Sequence, residues 1–306
     1  MKPSNSHAQL PLFEQAQQRL RSEHRACDIV NVASVPQRSP FRYPGGKTWL
    51  VPKFRAWMKS LSEKPETFIE PFAGGGIISL TAAFENLAEH IIMVEIDEDV
   101  SAIWQVILGK DADWLIQKIL SFDLTEKAAR EELNKPVRAL RQRAFNTLLR
   151  NRINHGGILA PGSGIFKKGE NGKGILSRWY PKTLAKRILA IKTVRGKIKF
   201  VSGDGLKILR EYGDSPDAVF FIDPPYTASG KKAGVRLYKH NILDHEELFK
   251  LAKRLAGDFL MTYDSAQGII ELAEKFGFVV QPIAMKNRHH AQMEELLIGR
   301  NLDWAR

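Results

Sequence analysis

An apolar run of five residues, Ala218-Val219-Phe220-Phe221-Ile222, ends abruptly in Asp223-Pro224-Pro225-Tyr226. Such a run, bounded by turn formers, reads as a strand buried on both faces, the pattern of a parallel sheet covered by helices. Neither proline can donate a backbone hydrogen, so the ladder stops there and the turn is stiff. A carboxylate is thereby set at the carboxyl end of a strand, where open α/β sheets hold their ligands. The turn leaves carbonyls such as that of Pro224 to accept hydrogen bonds, and Tyr226 adds a ring face. Two acceptors beside a flat aromatic surface suit an exocyclic amine on a planar base. A plain strand-ending turn is the competing explanation, since Asp-Pro favours turns.

The rest of the chain follows the same grammar. Strand-like runs at residues 67–72, 91–96, 197–201, 259–263, 278–285 and 294–298 join the one at 218–222. Helical periodicity fills 77–87 and 266–276 and follows Asp204 and Asp244. Asp244 is expected as a helix N-cap and Pro181 as a first helical residue. This alternation predicts an α/β fold, a doubly wound, mostly parallel sheet with helices on both faces. Between about 110 and 195 it lapses: helical patterns run over 98–155, and Gly156 to Gly174 reads as loop or hairpin. The expected organisation is a flexible tail over 1–36, a sheet domain from 37–109 and 196–306, and an insertion over 110–195.

The charge balance singles out that insertion. Residues 127–199 hold 19 lysines and arginines against three acids, Glu131, Glu132 and Glu170. That exceeds the net +12 of the whole chain, so the remainder is mildly acidic. A basic block in an otherwise acidic chain is the footprint of a polyanion-binding module, although charge runs also form plain solvated surface. Cys27 is the only cysteine, which excludes an internal disulfide and a cysteine zinc site. His240, His245, His289 and His290 show no convincing ligand spacing, so no metal is expected. No run approaches the ~18 apolar residues of a membrane helix. The polar N-terminus lacks the core of a signal peptide, and a cytoplasmic location is expected.

A second constellation lies at the first strand-to-helix junction, Phe68-Ile69-Glu70-Pro71-Phe72-Ala73-Gly74-Gly75-Gly76. Glycines there let the backbone approach a ligand. A nicotinamide or nucleotide site is the rival reading, but the spacing is not Gly-x-Gly-x-x-Gly. Glu70 before the turn suits a cationic group better than a pyrophosphate. S-adenosylmethionine carries both an ammonium and a sulfonium. Glu95, ending the next strand, suits ribose hydroxyls. Asp204, ending another, suits either an adenine amine or a helix N-cap.

Taken together, Tyr43-Pro44-Gly45-Gly46-Lys47, Glu70-Pro71-Phe72-x-Gly74-x-Gly76 and Asp223-Pro224-Pro225-Tyr226, in that order, resemble the Dam-like DNA adenine-N6 methyltransferases. Thr262-Tyr263-Asp264 and Glu294-Glu295-Leu296-Leu297-Ile298 resemble the family's later strands, so the likeness covers about residues 40 to 300. It implies a Rossmann-like methyltransferase fold and S-adenosylmethionine as methyl donor. It sets Tyr43, Lys47, Glu70, Phe72, Gly74, Gly76, Glu95, Asp204 and Asp223 around that cofactor. It gives Asp223 and Tyr226 catalytic roles beside the Pro224 carbonyl, and makes the basic insertion a target-recognition segment. The family's hairpin for GATC is not recognisable between Gly162 and Gly174. A cytosine-N4 enzyme and a catalytically silent DNA-binding subunit are the alternatives. A cytosine-C5 enzyme would need a nucleophilic cysteine near a glycine loop, and Cys27 lies in the tail.

Within the insertion, Arg141, Arg143, Arg150 and Arg152 fall on a helical pattern beside Asn151, Asn154 and His155. Arg and Asn are the usual readers of guanine and adenine edges. Lys167, Lys168 and Lys173 lie in a Gly-rich loop suited to phosphates. In the tail, Gln9-Leu10-Pro11-Leu12-Phe13 resembles the short peptide by which bacterial proteins dock on the replication sliding clamp. Gln9 would fix register while Leu10, Leu12 and Phe13 supply apolar contact. A helix start packing on the domain is the other reading.

Overall fold

A computed structural model describes residues 34–43, 45–160, 162–165, 172–225, 242–286 and 292–305. Seven strands form one sheet: β1 (Thr67–Glu70), β2 (His90–Glu95), β3 (Ile198–Ser202), β4 (Ala218–Ile222), β5 (Phe259–Asp264), β6 (Val279–Lys286) and β7 (Gln292–Gly299). Their order is β3-β2-β1-β4-β5-β7-β6. The first five run parallel, and β7 lies antiparallel between β5 and β6. Pro282 lies on β6, the outermost strand, where a missing backbone donor leaves no inner ladder incomplete. All seven expected strands are present, with β1 ending at Glu70 rather than Phe72.

The helices are α1 (Val51–Ser60), α2 (Ile77–Phe84), α3 (Glu98–Leu108), α4 (Ala112–Ser121), α5 (Glu126–Asn134), α6 (Leu140–Ile153), α7 (Pro181–Val194), α8 (Gly205–Glu211), α9 (His245–Arg254) and α10 (Gln267–Lys275). Side-chain caps set several starts. Asp97 accepts from Asp99 N at 2.8 Å, Thr125 from Ala128 N at 3.0 Å and Asp244 from Glu247 N at 2.9 Å. From the region read as loop or hairpin, Gly156 to Gly174, Ile165 makes an antiparallel bridge to Asn154 ahead of it, and a short 3-10 turn over Gly174–Arg178 follows.

Successive side chains of a strand point to opposite faces, and the core divides accordingly. Phe68, Met93, Val219 and Phe221 join α1, α2, α3, α4, α5, α6 and α7 on one face. Ile69, Ile92, Phe220 and Ile222 join α8, α9 and α10 on the other. Each fully buried aromatic or aliphatic side chain contributes roughly 1.5–3 kcal/mol. The four helices from 112 to 194 thus share the core of the sheet's first face. Among the described residues no helix is long and apolar enough to cross a membrane.

Candidate active site

Strand order reverses between β1 and β4, the place where a doubly wound sheet opens a crevice. Empty space in the cleft, counted together with the open solvent at its mouth, amounts to about 1230 Å³. Tyr43, Lys47, Glu70, Phe72, Gly74, Gly76, Glu95, Asp204, Asp223 and Pro224 all line it. Tyr226 lies outside the described residues.

Asp223 follows β4 and is half-buried. Lys47 Nζ lies 2.9 Å from its Oδ1, and Thr262 Oγ1 donates to the same oxygen at 2.8 Å. Lys47 is buried, donates to the Gly45 carbonyl at 3.0 Å and lies 3.5 Å from Glu295. The ion pair does not seal Asp223 off, because the carboxylate lines the same cleft as the glycine turn.

Two further carboxyls are buried at the neighbouring strand ends. Glu70 Oε2 accepts from Ser79 N at 2.9 Å and from Ser79 Oγ. Burial nevertheless pushes its carboxyl up to about 8, and the nearby Asp223 and Glu95 charges add to that rise. Glu95 accepts from Gly74 N and Asp97 N, both at 2.9 Å, and burial raises it to about 7. Desolvated carboxyls of this kind favour a cation or a set of hydroxyl donors. S-adenosylmethionine offers both, so the residues present fit it: Glu70 would take its ammonium and Glu95 its ribose hydroxyls. Asp204 Oδ1 caps α8 through Leu206 N at 2.9 Å while the residue lines the cleft, so the capping role is realised.

The glycines are required by what lies behind them. Gly74 and Gly76 have φ of 46° and 61°. A Cβ on Gly74 would stand 2.5 Å from the Tyr43 ring, and one on Gly76 2.6 Å from Met93 and 2.7 Å from Trp104. Trp104 Nε1 donates to the Gly74 carbonyl at 2.9 Å. Close packing of side chains against the turn is therefore a reason for glycine beyond ligand approach.

The basic residues separate by environment. Arg141 is exposed, stacked 4.9 Å over Trp114, with Asp111 at 4.0 Å. Arg143 pairs with Glu98 at 2.9 Å and Arg150 with Asp99 at 3.2 Å. Lys173 is exposed. Arg152 and Asn154 are buried: Arg152 donates to the Pro40 carbonyl, and Asn154 to Ile158 O and Ser163 Oγ, both at 2.9 Å. These bonds hold loops together. Lys167, Lys168, Gln9, Leu10, Leu12, Phe13, His240, His289 and His290 lie outside the described residues. His245 Nδ1 lies 2.9 Å from Tyr263 Oη, and no group of three metal-ligating side chains occurs among the described residues.

Sequence reasoning passed over Thr262, Glu295, Ser79 and Ile96 as site residues. Thr262 and Glu295 are polar residues inside buried strands, a signal that was available in the sequence. Ile96 is 44% exposed yet lines the cleft between Glu95 and Asp97.

Among known proteins, the chain is 25% identical over 232 residues to the Type II methyltransferase M.MjaIII of Methanocaldococcus jannaschii, covering 70% of this chain and 78% of that one. Solved structures with a similar outline include the rRNA methyltransferase aviRa from Streptomyces viridochromogenes (TM-score 0.39, 13% identity, 91% of this chain and 96% of that one). A methyltransferase from Geobacter sulfurreducens gives a TM-score of 0.38 at 11% identity, covering 94% and 96%. The family model for D12 class N6 adenine-specific DNA methyltransferases matches residues 43–282. That match spans most of the chain, which accordingly belongs to this family of adenine-N6 DNA methyltransferases and takes S-adenosylmethionine as methyl donor.

Proposed function

We propose that this protein methylates the exocyclic amine of an adenine extruded from duplex DNA, at a specific site, with Asp223 as the catalytic carboxylate. The observation that carries the reading is the shared cleft: Asp223 and Pro224 line the same cavity as Glu70, Gly74 and Glu95.

The adenine amine is a weak nucleophile because its lone pair is delocalised into the ring. Asp223 and the Pro224 carbonyl accept its two hydrogens, which draws the nitrogen toward tetrahedral geometry and turns the lone pair into the cleft. Bound S-adenosylmethionine supplies an electrophilic methyl group. Asp223 stabilises the positive charge that develops on the amine, most effectively in a site that excludes water. Holding the base at attack distance supplies much of the remaining acceleration. Tyr226 provides the stacking face for the extruded base. Arg141, Arg150 and the lysines of the Gly-rich loop grip phosphates, so that 110–195 acts as a target-recognition insertion. A cytoplasmic, nucleoid-associated setting accords with this substrate, and Gln9, Leu10, Leu12 and Phe13 are assigned to a sliding-clamp contact.

The test is incubation with labelled S-adenosylmethionine and unmethylated DNA, followed by digestion to nucleosides. Label is expected in N6-methyldeoxyadenosine and absent with Asp223→Ala, whose fold is expected to be retained. Label in N4-methylcytosine, or methyl transfer by Asp223→Ala at the parent rate, contradicts the reading. Cofactor binding with no transfer to any DNA would identify a silent DNA-binding subunit instead.

A further inference from the structure

A second cavity shares a wall with the cofactor cleft. Tyr43, Gly46, Gly75 and Ile77 line both. Beyond that wall Arg42, Arg152, Arg178 and Arg187 surround the space, with Thr48 and Thr183 beside them. No aspartate or glutamate is among the described lining residues.

Two of these cations are poorly compensated. Arg152 is 5% exposed and Arg187 is half-buried. Each donates to one main-chain carbonyl, Arg152 to Pro40 and Arg187 to Ser39 at 2.8 Å. Neither has a carboxylate partner among the described residues, and Arg152 Nε has no hydrogen-bond partner there. Burial, with Arg187 nearby, lowers Arg152 to about 10, and burial lowers Arg187 as well. The start of α7 meets the same cavity. Its N-cap Tyr180 gives no side-chain cap, its first turn holds no acid, and Thr183 and Leu184 line the space. Helix starts carry unsatisfied N–H groups and partial positive charge. A buried cation without a counter-charge is costly, and an arriving anion relieves that cost.

We propose that this cavity is a phosphate site, and that it seats a backbone phosphodiester of the DNA strand whose base enters the adjoining cleft. The inference rests on the DNA methylation reading and deepens it by assigning one anchor for the strand. Strand backbone must pass along the mouth of the cleft when a base is inside it, and the cavity lies one wall away.

The structural alternative is that these arginines only pin the segment Ser39–Phe41, a role that moves melting temperature and leaves ionic-strength dependence alone. Full-length parent, Arg178→Gln and Arg187→Gln are therefore titrated with a fluorescent DNA duplex at several salt concentrations. In parallel they are melted alone, with S-adenosylmethionine, and with inorganic phosphate. Both variants are expected to melt like the parent and to keep the cofactor-induced rise. They should bind all duplexes several-fold more weakly, with the slope of log affinity against log salt reduced by about one unit. Parent-like affinity and slope in a variant that melts normally overturn the proposal. An unchanged slope with a phosphate-induced rise that only the parent shows also overturns it, since the site then serves a free anion. Should Arg187→Gln melt early, Arg178→Gln decides alone. A parent protein that methylates no DNA would defeat the functional reading, while the salt slope still judges the cavity.

Discussion

The Asp223 carboxylate has its direction set before any base arrives. Lys47 and Thr262 both reach Oδ1, within 2.9 Å and 2.8 Å, and Lys47 is itself anchored to the Gly45 carbonyl. Groups held in place in this way need no reorganisation during the reaction. Thr262→Val keeps the shape of the side chain and removes one anchor. A bond to a charged acceptor is worth about 1.5–3 kcal/mol, so kcat is expected to fall at least about tenfold. Cofactor affinity should stay at the parent value, and single-turnover rates beside cofactor titrations separate the two. Glu70 has a pH signature of its own. Its carboxyl stands at about 8 in the folded protein against 4.5 in the open chain, chiefly through burial. Over that interval the folded state holds a proton that the unfolded chain releases. Stability therefore declines as pH rises from 4.5 to about 8 and levels off beyond. A cation held by Glu70 would need the ionised form, so S-adenosylmethionine affinity is expected to climb toward pH 8 and then flatten. Glu95 adds a similar share that ends near 7. Glu70→Gln should flatten the melting profile between about 7 and 8, weaken cofactor binding and remove the upper part of its pH dependence, as thermal melts with and without cofactor will read.

The turn from β1 into α2 is tightly constrained. Gly76 begins α2 with φ of 61°, and an added Cβ would meet Met93 and Trp104 at 2.6 and 2.7 Å. Backbone strain and overpacking together put the cost of Gly76→Ala at about 2–4 kcal/mol, measurable by urea unfolding. Much of this level was readable from the chain. Continuous apolar runs closed by acids or prolines have few alternatives to buried parallel strands, so β1, β2, β4 and β5 and their terminal carboxylates were legible. The N-cap at Asp244 and the start of α7 at Pro181 follow from local chemistry alone. Pairing was not legible. Nothing in residues 292–299 says that β7 slips between β5 and β6, so Thr262 and Glu295 could not be brought to Lys47 and Asp223 by inspection. The burial of Arg152 was hidden for another reason. Charge and helical spacing put it with Arg141 and Arg150, but nearly all of α6 from Ala144 onward is enclosed. A cation in that stretch is buried by its neighbours regardless of its own preference.

At the scale of the whole molecule, the helices between the two halves of the sheet are continuous with its core. Phe145 and Leu148 of α6 and Ile188 of α7 belong to the same cluster as Phe68 and Phe221 of the sheet. Removing 110–195 would bare Trp104, Ile107 and the apolar side of α3, all fully buried in the intact chain. Such a deletion is expected to aggregate or to unfold without a cooperative transition, whereas the full chain is expected to melt in one step when followed by calorimetry. The opposite result, a soluble remnant with its own sharp transition, would mean that the sheet carries enough core by itself. The segment ahead of Lys47 is tied to α3 by the Phe41 ring, 5.4 Å from Trp104, and to these helices by its main chain. Asn151, Arg152 and Arg187 hold the Arg42 amide and the carbonyls of Arg42, Pro40 and Ser39. Where a strap is gripped by its peptide groups, the grip itself asks nothing of the side chains it holds, and the demand falls on the residues that do the clasping.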